Sequence, residues 1–203
     1  MLDASQILIL LVVTLGPLKI LGPFVQQTRD LEGSALRRLT LRVFILSVVS
    51  VLVAAFLGSA LLAKWGISLP ALLIAIGVIF FLVAIQMVLA QYGERVEVQA
   101  LPQDPWAAAL KLTFPTVLTP YGIAAVIALL AATTDPARAR MIVMLALVVM
   151  VLNYVFMLFA RKIMRGVALL ILQILGSVLG VLQVALSVQI LLWALAELGV
   201  LAV

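Results

Sequence analysis

The chain has 203 residues, 67% hydrophobic and 10% charged, with thirteen Lys plus Arg, eight Asp plus Glu and a net charge of +5. Mean hydropathy is +1.36, and so few polar side chains cannot cover a water-soluble globule, which is usually about 45–50% apolar and about 25% charged. Cysteine and histidine are absent, which removes disulfide frameworks, Cys/His metal sites, haem ligand sets and Ser-His-Asp or Cys-His catalysis.

A spanning helix takes about 20 mainly apolar residues, and six stretches reach that length: 6–27, 43–63, 67–90, 112–132, 141–160 and 167–196. No Lys or Arg precedes the first and no small-x-small cleavage site follows it, so it is expected to be retained. It contains Gly16-Pro17, Lys19 and Gly22-Pro23, whereas the second carries no such interruption and the third carries Gln86. The connection 91–111, with Pro102, Asp104 and Pro105, is the natural hinge between two halves. Pro115 and Thr119-Pro120-Tyr121-Gly122 interrupt the fourth stretch; Asn153 lies in the fifth; Gln173, Gln183 and Gln189 lie in the sixth. That last stretch is uncharged for longer than one crossing requires, so it is expected to tilt or to begin in the interface.

Except for Lys19, basic residues fall in the connections, as topology signals do, and not on a clustered face of the kind nucleic acid needs. With the N-terminus outside, the cytoplasmic connections hold Arg29, Arg37, Arg38, Arg42, Arg95, Lys111, Arg161, Lys162 and Arg165, against Lys64, Arg138 and Arg140 outside. This asymmetry favours both termini on the external side. The expected fold is one all-α membrane domain over 1–203.

Sliding the chain against itself by 103 positions sets Leu15 to Ile20 on Leu118 to Ile123, Gly77-Val78 on Gly180-Val181 and Gln86 on Gln189. Two repeats, about 1–97 and about 104–203, are expected on this ground. Each holds three crossings, an odd number, so the second enters the membrane from the opposite side. Inverted repeats of this kind are common in secondary transporters.

Proline removes a backbone donor and clashes with the preceding turn, so the first and fourth helices are expected to break. Freed backbone groups survive at membrane depth only where protein or a water-filled cavity satisfies them, and matched broken helices point to a midplane site. Half-helix N-termini suit an anion and unwound carbonyls suit an ammonium group; a zwitterionic amino acid needs both. The prolines could instead merely kink helices. Candidate substrate-binding residues are Gly16, Pro17, Lys19, Pro23, Gln86, Pro115, Thr119, Pro120, Tyr121, Gly122 and Gln189. Lys19 is expected to point inward or to snorkel. Asn153, Gln173 and Gln183 are expected to form bonds between helices. Thr14 and Lys19, five apart, are poorly spaced for a Thr-Lys catalytic pair, so an enzyme is not expected.

The elements Pro17 to Phe24, Trp65 to Leu69, Gly77 through Ala84-Ile85-Gln86-Met87, Pro115 to Ile123 and Gly180 through Gln189 together resemble the MarC-related inner-membrane proteins, also grouped as a neutral amino acid transporter family. The resemblance covers essentially the whole chain. It implies a six-helix bacterial inner-membrane protein with periplasmic termini that moves small neutral amino acids such as glycine or alanine. Many relatives have Asn or Asp where Gly16 stands, Gly where Lys19 stands, and Gly-Pro-Gly in place of Thr119-Pro120-Tyr121. Lys19 is therefore expected to occupy the space of a small ligand or cation in those relatives.

The expected function is secondary transport or export of small neutral amino acids or similar solutes, by alternating access between the first and fourth helices. The rival is a non-transporting membrane scaffold or partner-binding subunit, with a filled interior in place of a cavity of roughly 300 Å³ or more. Lipid and a small-molecule substrate are the expected partners, with no cofactor, metal or nucleic acid; homo-oligomerisation is left open.

Overall fold

The computed structural model describes residues 3–89, 101–164 and 167–200, with the side chains at 59, 63, 86–89, 167–173, 175–177 and 179 outside that description. The described residues form helices and their connections. In order they are α1 (Ala4–Leu15), a 3₁₀ turn (Pro17–Lys19), α2 (Leu21–Gln27), α3 (Gly33–Trp65) and α4 (Leu69–Leu89). Then come α5 (Pro105–Lys111), a π-helical stretch (Leu112–Val117), α6 (Pro120–Ala131), α7 (Pro136–Ile163) and α8 (Val167–Glu197).

Acidic residues of the connections serve as helix caps. Asp3 accepts from the Gln6 backbone N–H at 2.8 Å while Gln6 Oε1 accepts from the Asp3 N–H at 2.9 Å, a reciprocal box that starts α1. Asp104 and Asp135 cap α5 and α7, each followed by proline at the first helical position, where a missing N–H costs nothing.

Among the described residues four helical stretches are long and apolar enough to cross a membrane: Ala4–Gln27, Gly33–Leu62, Pro136–Ile163 and Gly180–Glu197. The pair Pro105–Val117 and Pro120–Ala131, bent by 66°, makes a fifth if taken as one span, and Leu69–Ile85 is a shorter apolar helix. Helix ends depart from the hydropathy boundaries. Residues 33–42, expected in a connection, open α3, because Ala, Leu and Arg are good helix formers whether or not lipid surrounds them. Likewise α5 begins at Pro105, inside the expected hinge; residues 90–100 of that hinge lie outside the described residues.

The outer surface is apolar and the buried polar residues lie within. On α3, Leu41, Ile45, Val49 and Val53 are exposed at four-residue spacing while Thr40, Val43, Ser47, Val51 and Ala55 are buried, a stripe facing lipid and a stripe facing protein. The packing places α4 along α8, α3 along α7, and α1 against α6 and α7. One end of the bundle is closed by Arg161 at the end of α7, whose guanidinium donates to the carbonyls of Thr28 (2.6 Å), Arg29 (3.2 Å) and Leu31. The turn after α2 is thereby fixed to α7.

Candidate functional site between the two broken helices

The first break begins at Gly16, which is extended (φ −79°, ψ 173°) and buried near the middle of Ala4–Gln27. A Cβ there would lie 2.0 Å from the Val12 carbonyl oxygen, so only glycine fits. Pro17 then supplies no N–H, and the chain restarts as the 3₁₀ turn, where the Ile20 N–H donates to the Pro17 carbonyl at 3.1 Å. The carbonyls of Val13, Thr14 and Leu15 lose their helical partners.

Each of the three is taken by a side chain from a different part of the bundle. Gln183 Nε2 of α8 donates to Val13 O at 3.1 Å, Thr119 Oγ1 to Thr14 O at 3.1 Å, and Asn153 Nδ2 of α7 to Leu15 O at 2.7 Å. Gln183 and Asn153 thus form the bonds between elements expected of them, and their targets are the freed carbonyls. A buried carbonyl without a partner costs about 1–3 kcal/mol, which explains amides in otherwise apolar helices. Their amide oxygens, Gln183 Oε1 and Asn153 Oδ1, are buried without a partner among the described residues.

The second break is sharper. Phe114 leaves helical geometry (φ −118°, ψ 127°), the Phe114–Pro115 bond is cis, and Leu118 is extended before Thr119 caps α6. Two carbonyls here are served locally: the Leu118 N–H donates to Thr113 O at 2.8 Å, and Thr113 Oγ1 to Ala109 O at 2.8 Å.

Thr119 joins the two breaks. Its hydroxyl donates to Thr14 O and accepts from the Gly122 N–H at 3.2 Å and from Lys19 Nζ at 3.3 Å, which uses its hydrogen and both lone pairs. Lys19 points inward, and its ammonium also donates to the Tyr121 hydroxyl at 3.1 Å and lies 4.7 Å from the centre of that ring. Tyr121 stacks on Phe80 of α4, ring centres 4.8 Å apart. Gly122 lets α6 approach α1: a Cβ would meet Leu15 Cδ2 at 2.4 Å. Among the described residues Lys19 has no carboxylate within ion-pair distance.

A cavity of about 510 Å³ reaches this cluster from the end of the bundle where α1 begins and α8 ends. Gln6 and Glu197 stand at its mouth, Leu10, Leu73, Ile76, Phe80, Ile190 and Trp193 line it, and Thr14 and Tyr121 form its inner end. Tyr121 stands between the cavity and Lys19, which is not itself in the lining.

With this geometry in hand, comparison with known proteins finds that the family model for MarC family integral membrane proteins matches residues 3–198, nearly the whole chain. The chain belongs to the MarC family. No curated protein and no solved structure matches this MarC chain.

Of the residues singled out in sequence, Gly16, Pro17, Lys19, Thr119, Tyr121 and Gly122 meet at the junction. Pro120 is the first residue of α6, its ring exposed, and Pro115 is exposed within the π-helical stretch. Pro23 makes no break: it is exposed in the first turn of α2, where a missing N–H is tolerated. Gln189 is exposed on α8, away from the cavity lining, and the side chains of Gln86 and Gln173 lie outside the described residues. The freed carbonyls of the first break, expected to suit an ammonium, are already occupied by Gln183, Thr119 and Asn153. Sequence reasoning did not assign Asn153, Gln183 or Phe80 to the site. An isolated amide within an apolar run is a signal for the first two; Phe80 carries none.

Proposed function

We propose that this MarC family protein is a secondary transporter of small solutes, working by alternating access at the junction of its two broken helices. The observation that carries this is the cavity of about 510 Å³, which touches both broken elements, at Thr14 before the first break and at Tyr121 after the second. A scaffold has no need of such a space, and opening a helix at two places in hydrocarbon is costly unless the opening serves a solute.

Six crossings in two inverted triplets are part of the same proposal. The offset of 103 carries Gly16-Pro17 onto Thr119-Pro120 and the start of α3 at Gly33 onto the start of α7 at Pro136. Packing of α3 on α7 and of α4 on α8 pairs elements that this offset relates. With both termini on the periplasmic side of a bacterial inner membrane, the cavity opens outward, and rocking of one triplet against the other would open it inward. Small neutral amino acids, the class implied by the family resemblance, are the first solutes to test.

The natural chain has no cysteine, so Leu73→Cys places one thiol in the cavity wall. In right-side-out vesicles a membrane-impermeant maleimide is expected to label it, and in proteoliposomes the protein is expected to support counterflow of at least one solute. Absence of counterflow for every amino acid and carboxylate tried, with a labelled cavity, would leave the space as a binding pocket without transport.

A further inference from the structure

The cavity is polar at one end only. Its inner end offers a ligand no charge and no free hydroxyl. The Thr14 hydroxyl is turned back along its own helix and donates to Leu10 O at 2.8 Å. Tyr121 is 2% exposed, and its hydroxyl accepts from Lys19, which lies behind it and outside the lining. What remains at that end is apolar, with Phe80 and Ile76 beside Tyr121. Room exists along the wall because α6 presents Ala125, Ala128 and Ala132 where larger side chains would fill the space.

The outer end differs. Gln6 and Glu197 stand there, both exposed, and Glu197 is the one charged residue in the lining. It has no ion-pair partner among the described residues, and no Lys or Arg lines the cavity. Gln6 Oε1 is already engaged by the Asp3 N–H. Ile190, Trp193 and Glu197 recur at three- and four-residue spacing, so one stripe of α8 runs from the apolar wall up to the carboxylate.

This gradient sets the polarity of what can fill the space. Along α1 the cavity runs from Gln6 to Thr14, about 12 Å at the α-helical rise, so a solute whose charge stays with Glu197 must carry an apolar body to fill the rest. Water between such walls finds too few partners, and a body that replaces it gains with each methylene. Glycine and alanine have no such body. An ammonium at the mouth meets Glu197, with Trp193 one turn further in as an aromatic surface that suits a cation. A carboxylate there meets a like charge, and a zwitterion gains and loses at once.

We infer that the cavity, taken as the substrate site of the proposed transporter, takes organic cations built of a single ammonium on an apolar body. The body inserts toward Tyr121, the ammonium stays at Glu197, and carboxylates and α-amino acids of the same skeleton are disfavoured.

Trp193 in the cavity wall reports binding once Trp65 and Trp106, both exposed, are replaced in a Trp65→Phe/Trp106→Phe chain. Emission of the purified full-length protein in detergent is followed during titration with 3-methylbutylamine, 3-methylbutanol, leucine and 4-methylpentanoate, and with straight amines from butylamine to octylamine. Leucine is the first of these with a carboxylate added, and the alcohol is the first without its charge. The amine is expected to bind about threefold more tightly than the alcohol, the size of an exposed ion pair, and about tenfold more tightly than 4-methylpentanoate. Glu197→Gln is expected to bring amine and alcohol together. Along the straight amines each methylene is expected to tighten binding by up to about fourfold, and Ala128→Phe, which fills the space, to abolish the emission change.

The alcohol, leucine or 4-methylpentanoate binding as tightly as the amine overturns the inference. So does an amine preference that survives Glu197→Gln, an absence of gain with chain length, or an emission change that survives in folded Ala128→Phe. If Ala128→Phe fails to fold, the loss of amine preference in Glu197→Gln, an exposed position, still separates the cavity from uptake into detergent. Because no flux is measured, amine preference without counterflow fails transport alone, and counterflow without amine preference fails this inference alone.

Discussion

The two broken helices begin from similar residues, Gly16-Pro17 and Thr119-Pro120, and satisfy their backbones in different ways. At the first break the axis continues, Ala4–Gln27 still qualifying as one span, and three carbonyls are met by side chains from α7, α8 and the cap of α6. At the second the chain turns by 66°, and its own Thr113 and Leu118 close the gap. Backbone opened inside a membrane protein must find partners, but these can be local or remote. A locally closed break carries its partners with it, whereas a remotely closed one is tied to every element that serves it. Gly16 to Ile20 is thus the fixed side of the junction, and Thr119 is the one residue that belongs to both.

The contrast can be broken most severely at Gly16. Gly16→Ala puts a methyl 2.0 Å from the Val12 carbonyl oxygen, and the loss is expected at the top of the usual range for point changes, about 3 kcal/mol, read as loss of monodisperse protein or of thermal stability in detergent. Asn153→Leu comes next. It orphans Leu15 O and should cost about 1–3 kcal/mol, although Asn153 lies on α7, far along the chain from the break; an unchanged melting temperature would show that water replaces the amide. Thr119→Val removes the cap of α6 and the bond to Thr14 O together, for about 1–2 kcal/mol, and Thr119→Ser should restore most of it. Lys19→Met is expected to have the smallest effect on stability, within about 1 kcal/mol, since replacing a buried ion by an apolar chain of similar length is often neutral. A large loss of stability would instead make Lys19 a structural tie between the breaks.

Composition alone made the solvent of this chain legible, because a sequence 67% hydrophobic has few places to fold except in lipid. The places of breakage were legible for a similar reason. Proline at 17 and 120 cannot donate, and that is a property of the residue wherever it sits. Pro23 has the same chemistry but follows a fresh helix start, so its missing N–H meets nothing that needed it. Helix ends were misjudged at α3 and α5 because hydropathy reports where lipid ends and not where hydrogen bonding ends.

The junction itself needed the tertiary structure. Lys19 and Tyr121 are 102 positions apart in the chain and 3.1 Å apart in space, and no local pattern of apolar and polar residues encodes that meeting. Phe80 is one of eight phenylalanines, distinguished only by the ring it stacks on. The sequence by itself determined that two helices must open, since proline and glycine act on their own backbone. Which side chains would satisfy the opened carbonyls, and that a cavity would end at Tyr121, was decided by packing, because a hydrogen-bond partner or an empty volume exists only once separate helices are brought together.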